Sequence, residues 1–512
     1  MNTTKDRTAM IADMAAKLHK PVYQECTEKK DITPRTDWLT NSHKVMTLEE
    51  AIRKSGLRDG MTISFHHHFR AGDKVVNMVV GKLAEMGFKN MHLAASSLID
   101  VHEPLIEHIR NGVITKISTS GLRGKLAQEI SHGLMEEPVV FRSHGSRGSA
   151  IASGELHIDV AFLGASSSDP MGNACGYSRS GHAKSICGSI GYALPDAQYA
   201  DKVVILTDDL VPYPNRPSGI SELNVDFVVV VDSVGDSSKI SSGAIRDTKN
   251  PRDILLAQQA AKVIINSGYF KNGFSIQTGS GGASLAAVKY IRQSMIDQNI
   301  KASFALGGIT AHMVKMHEEG LIDRLMDVQS FDKVAAESLM SDRMHKEVSS
   351  IEYASAQEPG SATHFLDIVI LSALEVDINF NVNVLVGSDG IIRGAIGGHP
   401  DTAADSALSI IVCPLLRGRI PCIVENVTTL ITPGSSVDVV VTEYGVAVNP
   451  RRPEIAERLE KAGLNVVDIK SLKERGERII GDAEPLPFGD KIVGVVMNRD
   501  GSVMDVIRNI ED

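Results

Sequence analysis

The sequence has few cysteines and no long apolar run. Its five cysteines, among 512 residues, form no CxxC pair, and so sparse a set favours a reducing compartment over a disulfide scaffold. No apolar stretch approaches the roughly 18 residues that a membrane span needs, and the first twenty residues lack the apolar core of a secretory signal. We therefore expect a cytoplasmic protein with no membrane partner.

Positive charge is also scarce, and several catalytic signatures are missing. Lysine and arginine number 53 against 63 aspartates and glutamates, which gives a net charge of −10. A general nucleic-acid binder needs the opposite excess to neutralise phosphates, so no nucleic-acid partner is expected. The sequence contains no HExxH, GxSxG or P-loop pattern. The common zinc-protease, serine-hydrolase and nucleoside-triphosphatase motifs are therefore excluded.

Short β-branched runs alternate with helical stretches from Met61 onward. They occupy residues 61–65, 139–141, 159–163, 203–206 and 227–231. Glycine-containing turns separate them, which is typical of α/β layers with a mostly parallel sheet. Before them, Thr47 is placed to cap a helix that ends at Gly56. A chain of this length predicts two or three domains.

The second half of the chain repeats the plan of the first. Three pairs of segments match in the same order: 72–95 with 279–306, 104–120 with 312–328, and 223–236 with 435–447. Ordinary βαβ stretches could match by chance, but three ordered pairs indicate an internal duplication. A polar segment with Gly and Pro at 241–253 marks the boundary. We predict an N-terminal domain with an N-terminal extension at 1–236 and a C-terminal domain at 237–512.

Glycines at 394, 397 and 398 follow a predicted strand. Glycine lets backbone N–H groups approach a ligand with no Cβ in the way, and such amides stabilise an oxyanion or bind a phosphate. We predict Gly397 and Gly398 as catalytic groups. The alternative is a structural turn, because a Gly-Gly pair alone is weak evidence.

A second glycine loop, with Gly279, Gly281 and Gly282, lies between a predicted strand and a predicted helix. It superficially fits a dinucleotide fingerprint, but Ser284 stands at the final glycine position and no acidic residue stands out after the next strand. We predict a backbone-amide site for a phosphate or a thioester.

Two further segments carry candidate site residues. Glu443 follows the strand in VVVTEYG, where α/β folds bind ligands, and a structural hydrogen bond is the alternative. His67 is the middle histidine of FHHHF. Neighbouring side chains on a strand point to opposite faces, so the three histidines cannot share one metal, but they could donate hydrogen bonds to an anion. No metal site is expected.

These motifs resemble those of the family I CoA-transferase and acetyl-CoA hydrolase group. FSIQTGSGGASLAAV resembles that group's glycine-rich loop, GAIGGHPDTAADSAL its oxyanion-hole loop with Asp401 at the family's aspartate, and DVVVTEYGVA its strand end. They occur in the family's order over about 170 residues. With SFHHHF and SDPMGNACG, the whole chain is most similar to the citrate lyase α-subunit family. The resemblance implies two tandem CoA-transferase-like (NagB/RpiA-like) α/β domains with mostly parallel sheets.

The resemblance implies a citrate:acetyl-carrier-protein transferase, which moves an acyl-carrier thioester from acetate to citrate. The family's usual nucleophile is a glutamate after a threonine, but here Ala311 and His312 follow Thr310. A citrate carboxylate is therefore the expected attacking group.

The citrate trianion needs cationic partners, and Arg393 and His399 flank the second of the two glycine loops along the chain. We predict them as substrate-binding residues. Asp401, His67 and the glycines at 279, 281 and 282 complete the predicted substrate site.

The resemblance also implies partners. They are the β (lyase) and γ (acyl carrier protein) subunits of citrate lyase, citrate itself and a phosphoribosyl-dephospho-CoA prosthetic group on the carrier, for which acetyl-CoA could be a surrogate. A homo-oligomer is expected. Two alternatives stay open: a CoA-transferase or acyl-CoA hydrolase that uses free CoA thioesters, and a non-catalytic ligand-binding subunit.

Overall fold

The computed structural model describes residues 7–22, 44–241, 248–279, 281–481 and 486–511. Met1–His43 form one compact unit and Lys44–Asp512 another. The first unit contains helix α1 (Arg7–Lys17), which has no buried residue. Cys26 and part of the predicted boundary segment lie outside the described residues. The other four cysteines are buried free thiols.

The strands are short and rich in β-branched residues. The first fourteen are β1 (Val45–Met46), β2 (Thr62–Phe65), β3 (Met91–Ala95), β4 (Ile114–Thr119), β5 (Val139–Phe141), β6 (Val160–Ala165), β7 (Ser167–Ser168), β8 (Ala174–Cys175), β9 (Lys202–Thr207), β10 (Phe227–Val230), β11 (Phe274–Thr278), β12 (Ala302–Ile309), β13 (Leu325–Ser330) and β14 (His345–Glu347). The others are β15 (Ile368–Ser372), β16 (Glu375–Asp377), β17 (Val382–Asn383), β18 (Leu408–Val412), β19 (Leu416–Arg417), β20 (Ile420–Pro421), β21 (Ile423–Val424), β22 (Val439–Thr442), β23 (Gly445–Val448), β24 (Phe488–Met497) and β25 (Val503–Ile510). The five predicted runs coincide, within two residues, with β2, β5, β6, β9 and β10.

Helices connect most of these strands. They are α2 (Leu48–Lys54), α3 (Val75–Glu85), α4 (Leu105–Arg110), α5 (Gly124–Ser131), α6 (His144–Ser153), α7 (Ala193–Tyr199), α8 (Pro251–Asn266), α9 (Gly282–Gln298), α10 (Ala311–Glu318), α11 (Lys333–Ser341), α12 (Ser350–Ala354), α13 (His399–Asp405), α14 (Pro453–Lys461) and α15 (Ile469–Ile480). Thr47 and Glu50 form a capping box at α2, as the sequence predicts for Thr47. Among the described helices, none is both long and apolar enough to cross a membrane.

Two large sheets organise the second unit, and they share one strand order. The first reads β1-β10-β9-β6-β2-β3-β4-β5-β24-β25 and the second β14-β13-β12-β11-β15-β18-β22-β23. The pairs β24–β25 and β22–β23 are antiparallel, and the other neighbours in the two sheets are parallel. When β2–β6, β9 and β10 are counted from the first half, and β11–β15, β18 and β22 from the second, both sheets have the order 7-6-5-1-2-3-4. The three matched sequence pairs fall on equivalent positions.

The hairpin β24–β25 departs from this plan. It lies in the second half of the chain, yet β24 pairs with β5 and extends the first sheet. The predicted division into residues 1–236 and 237–512 therefore does not coincide with the membership of the two sheets, and the boundary itself stays a prediction.

The central strands supply the core. Every residue of β6, β18 and β22 is buried, as expected for parallel strands with both faces covered. This packing fixes the carboxyl ends of the strands, where the candidate site lies.

Candidate active site

The turn Gly397–Gly398 lies between the two halves of the chain. Ile396 N donates to Ser120 O at 2.7 Å, which fastens the turn to the chain just after β4. Gly397 has a φ of 57° and accepts a hydrogen bond from His144 N at 2.9 Å. A Cβ added to Gly398 would lie 2.4 Å from Tyr353 Oη. The positive φ at one glycine and the close approach at the next explain why glycine is needed at both.

Aromatic rings from the first half form one wall beside this turn. The ring of His144 lies 4.1 Å from that of Tyr192 and 5.6 Å from that of His67, and Tyr192 stacks on His67 at 5.1 Å. His67 Nδ1 lies 2.6 Å from Ser96 Oγ. Burial lowers the pKa of His144 to about 3 and holds the pKa of His67 well below its usual value. Both rings are therefore neutral at pH 7 and offer hydrogen bonds without charge.

Arg70 brings a positive charge to this wall. Its guanidinium lies 4.6 Å from the centre of the Phe331 ring, and Tyr192 acts to raise its pKa. Burial lowers the pKa of Arg70 to about 10, so it stays protonated at pH 7. Its φ of 51° is unusual for a residue other than glycine. Arg70 was not among the residues predicted from the sequence, although it directly follows FHHHF.

His399 and Asp401 are placed to hold the turn. His399 Nδ1 lies 2.7 Å from Thr432 Oγ1 and its Nε2 3.1 Å from Ser372 O, and burial lowers its pKa to about 4. Asp401 accepts hydrogen bonds from Ser143 Oγ at 2.8 Å and Gly145 N at 3.0 Å. Burial raises the pKa of Asp401 to about 6. The Asp401 contacts fix α13 against the start of α6, and the His399 contacts fix it to Thr432 and Ser372. The polar atoms of both side chains are therefore engaged by the protein itself.

Arg393 does not join the turn. Its side chain is exposed and pairs with Asp389. It lines a cavity of about 990 Å³ together with Arg123 and Lys125. Its predicted role in binding citrate stays a prediction, and the described geometry places it outside the wall of rings.

The other glycine loop approaches the turn indirectly. A Cβ added to Gly281 would lie 2.2 Å from Ser372 Oγ, and one added to Gly282 would meet open space. Gly279 N donates to Ile370 O at 2.7 Å. Because His399 bonds to Ser372 O, the loop and α13 meet at one residue.

Glu443 makes a local contact. Its Oε2 accepts a hydrogen bond from Leu415 N at 2.8 Å, which ties the end of β22 to the chain after β18. That contact is the structural alternative raised by the sequence, and a catalytic role for Glu443 stays a prediction.

Two helices from opposite halves hold the wall and the turn together. A Cβ added to Gly145 in α6 would lie 1.9 Å from Ala354 O in α12, and one added to Gly148 would lie 2.8 Å from Ser350 Oγ. The two glycines thus let α6 and α12 pack backbone to backbone. His144 begins α6, and Tyr353 lies in α12, so this packing sets their distance. Both side chains were missed from the sequence, where Gly-x-x-Gly on a helix is the available signal.

Comparison with known proteins identifies the family. The family model described as the citrate lyase alpha subunit matches residues 42–510. The chain belongs to the citrate lyase α-subunit family. It is 58% identical over 465 residues to the citrate lyase alpha chain of Escherichia coli strain K12, covering 91% of this chain and 90% of that one. It is 56% identical to that of Klebsiella pneumoniae, covering 94% and 95%.

Comparison with solved structures supports the same family and the same fold. The citrate lyase α subunit of Streptococcus mutans, crystallised in complex with citrate, is 53% identical, has a TM-score of 0.90 and is matched over 96% of each chain. A 4-hydroxybutyrate CoA-transferase of Porphyromonas gingivalis, 17% identical with a TM-score of 0.53 over 85% of this chain and 98% of that one, shares the fold alone. The CoA-transferase-like fold and the enzyme class predicted from the sequence, the acyl-transferring α subunit of citrate lyase, are thereby confirmed.

Proposed function

We propose that the turn Gly397–Gly398 and the facing wall of His67, Arg70, His144 and Tyr192 form the site where citrate replaces acetate on a carrier-protein thioester. The observation that carries the proposal is the position of the turn, which lies between neutral imidazoles and a buried tyrosine. The Streptococcus mutans relative that was solved with citrate supports it.

The exchange proceeds in two steps. A citrate carboxylate oxygen attacks the acetyl carbonyl carbon, the C–S bond breaks and the thiolate leaves, which gives a citric–acetic anhydride. The thiolate then attacks the citryl carbonyl carbon, the anhydride C–O bond breaks and acetate leaves. Each step passes through an oxyanion, and the amides of Gly397 and Gly398 are candidate donors to it.

The charged and polar groups of the site suit citrate, a polyanion, whose negative charge they would neutralise only in part. Arg70 offers one guanidinium, and the neutral His67 and His144 offer hydrogen bonds. Citrate so bound keeps a carboxylate that is free to attack, since a fully paired carboxylate is a weaker nucleophile. Holding both reactants in the attacking geometry supplies much of the rate.

Partners follow from the same proposal. The acetyl thioester is borne by the phosphoribosyl-dephospho-CoA group of an acyl carrier (γ) subunit, and the citryl product passes to a lyase (β) subunit. Gly279, Gly281 and Gly282, near the start of the 17-residue helix α9, suit a phosphate of that group. We place this assembly, as a homo-oligomer of α with its partners, in the cytoplasm, as the scarcity of cysteines and the lack of a CxxC pair in the sequence favour.

An acetyl-exchange assay tests the function. Purified chain is mixed with acetyl-loaded carrier protein and isotopically labelled citrate, and label on the carrier and free acetate are both measured. We expect equimolar citryl carrier and acetate with citrate, and neither product with succinate or with no carboxylate. Acetate release at the same rate without citrate would instead show a hydrolase, and citrate binding with no exchange would show a non-catalytic subunit.

A further inference from the structure

The hydroxyl of Tyr353 has a proton that no described group accepts. A phenol offers one O–H donor and two acceptor lone pairs. Tyr353 Oη accepts a hydrogen bond from Gln277 Nε2 at 2.8 Å. Within the parts of the chain that the structure describes, that is its one hydrogen bond. This buried hydroxyl therefore donates no hydrogen bond to the described residues, which is unusual for a buried polar group.

The Tyr353 hydroxyl lies beside the turn Gly397–Gly398. The 2.4 Å separation between Tyr353 Oη and a Cβ built on Gly398 places the oxygen against the Gly398 backbone. His144 lies on the other side, 3.7 Å from the Cβ position of Gly397. A group bound at the turn is thus within reach of both side chains.

Two more buried atoms here have no hydrogen-bond partner among the described residues. They are Gln277 Oε1, on the side chain whose Nε2 donates to the Tyr353 hydroxyl, and His144 Nδ1. Their side chains are only 6% and 9% exposed. Orphaned polar atoms in a well-packed interior cost free energy unless a ligand completes them. Their position on either side of the turn indicates a ligand that contacts both halves of the chain.

We propose that the Tyr353 O–H donates a hydrogen bond to the thioester or anhydride carbonyl oxygen as it becomes an oxyanion, and that Gln277 positions it. The proposal rests on the proposed acyl exchange at Gly397–Gly398. Tyr353 is then a catalytic residue and Gln277 a positioning residue, since Gln277 acts through the hydroxyl.

The electrostatics of the site suit a donor and not a base. Burial raises the pKa of the Tyr353 phenol above its usual value, and the carboxylate of Asp401 adds to the rise. The phenol therefore keeps its proton at neutral pH. A hydroxyl already held by Gln277 also needs no reorganisation when the oxyanion forms, which is what makes such donors effective.

Replacing the hydroxyl tests the proposal. Tyr353→Phe is expected to lower kcat about 100-fold, the usual loss for one oxyanion donor, while KM for citrate and calorimetric citrate binding change less than about twofold. Gln277→Leu is expected to lower kcat by a smaller factor, and the double variant no further than Tyr353→Phe alone, because both remove one interaction.

A matched pair on the surface of the second half provides the control. Tyr290 Oη accepts from Gln258 Nε2 at 3.3 Å, the same pairing of side chains away from the turn. Tyr290→Phe and Gln258→Leu are expected to keep wild-type kcat and KM. Thermal unfolding of every variant is measured, so that a fall in kcat is compared at equal folded fraction.

If Tyr353→Phe does not fold, site-specific 3,5-difluorotyrosine at position 353 tests the same hydroxyl, because it keeps the shape of the tyrosine ring. Its phenol is more acidic, so kcat should fall as pH rises through the phenol pKa, where the donor is lost, with no such fall in the wild type. Wild-type kcat in Tyr353→Phe, equal loss of citrate binding and kcat, or an unchanged pH profile for the fluorinated protein would overturn the proposal. If the wild type still exchanges acetate for citrate in the same assay, those results overturn the role of Tyr353 and leave the proposed function intact. A wild type that shows no exchange overturns the proposed function first.

Discussion

At the scale of single residues, the Tyr353 hydroxyl occupies the space that a side chain at position 398 would need. In Gly398→Ala the new Cβ would meet the Tyr353 hydroxyl at 2.4 Å, so the turn or the ring must move. A displacement of about 1 Å is expected to lower turnover roughly 100-fold, with a loss of about 1–2 kcal/mol in unfolding free energy. Steady-state kinetics and urea unfolding measure both.

Gly81→Ala is the control for that substitution. Gly81 lies in α3, and a Cβ there meets nothing within 4 Å, so turnover should match the wild type. Full activity in Gly398→Ala, or an unfolded protein, would favour the purely structural turn.

The absent glutamate nucleophile gives a second prediction at this scale. Glu425 pairs with Lys473 at 2.9 Å, and Glu443 bonds to Leu415 N. Acetyl thioester alone, followed by borohydride or hydroxylamine, should therefore leave no mass change on either glutamate. Glu443→Gln should slow exchange without abolishing it, because the amide oxygen can still accept the same hydrogen bond. A labelled glutamyl peptide would contradict the anhydride route.

The glycines of the site could be predicted from the sequence, but the meeting of side chains from distant parts of the chain could not. Gly397, Gly398 and Asp401 stand in one short motif, so local spacing was enough. Arg70, His144 and Tyr353 are separated by long stretches of chain, and their meeting depends on how α6 packs on α12. A single sequence carries no record of such distant contacts.

At element scale, the hairpin β24–β25 secures the helix that follows the turn. Arg499, between the two strands, bonds to both carboxylate oxygens of Asp405 in α13 at 2.6 Å. Its side chain is 16% exposed. Arg499→Met leaves Asp405 without its arginine partner and is expected to cost about 3 kcal/mol of unfolding free energy, measured in urea. Turnover should fall as well, because α13 carries the turn.

Arg508→Met is the comparison within the same hairpin. The Arg508 guanidinium lies 4.9 Å from the Phe488 ring centre, a contact expected to contribute about 1 kcal/mol or less. Equal losses in the two variants would show that the Arg499–Asp405 pair has no special role in holding α13.

The strands themselves were predictable where Val, Ile and Phe run together. The hairpin's sheet was not, because an added strand chooses its edge by tertiary packing and not by its own composition. For the same reason, the sequence could suggest duplicated halves and could not place residues 488–510 in the first sheet.

At the scale of the whole molecule, Glu347 connects the two halves. It ends β14 of the second sheet, and its Oε2 accepts from Ile190 N in the first half at 2.7 Å. Burial raises the pKa of Glu347 to about 7. The protonated form is therefore the one that the folded state favours.

This raised pKa predicts how stability depends on pH. The contribution of Glu347 is fully present below about pH 4.5 and is lost as pH rises to about 7, because the unfolded chain releases the proton first. Glu347→Gln cannot ionise. Its unfolding free energy relative to the wild type should rise by roughly 3 kcal/mol between pH 4.5 and pH 8. Urea titrations at both pH values measure this, and parallel curves for the two proteins would contradict it.

The hairpin β24–β25 also imposes an order in time. Ser146, in helix α6 directly after β5, and Asn498, in the hairpin, are 352 residues apart. At synthesis rates of about 5–20 residues per second, roughly 20 to 70 seconds pass between their appearances from the ribosome. Throughout that interval β5 is an open strand edge, a surface on which nascent chains aggregate. A chaperone that shields β5 during translation is therefore expected to raise the yield of active protein.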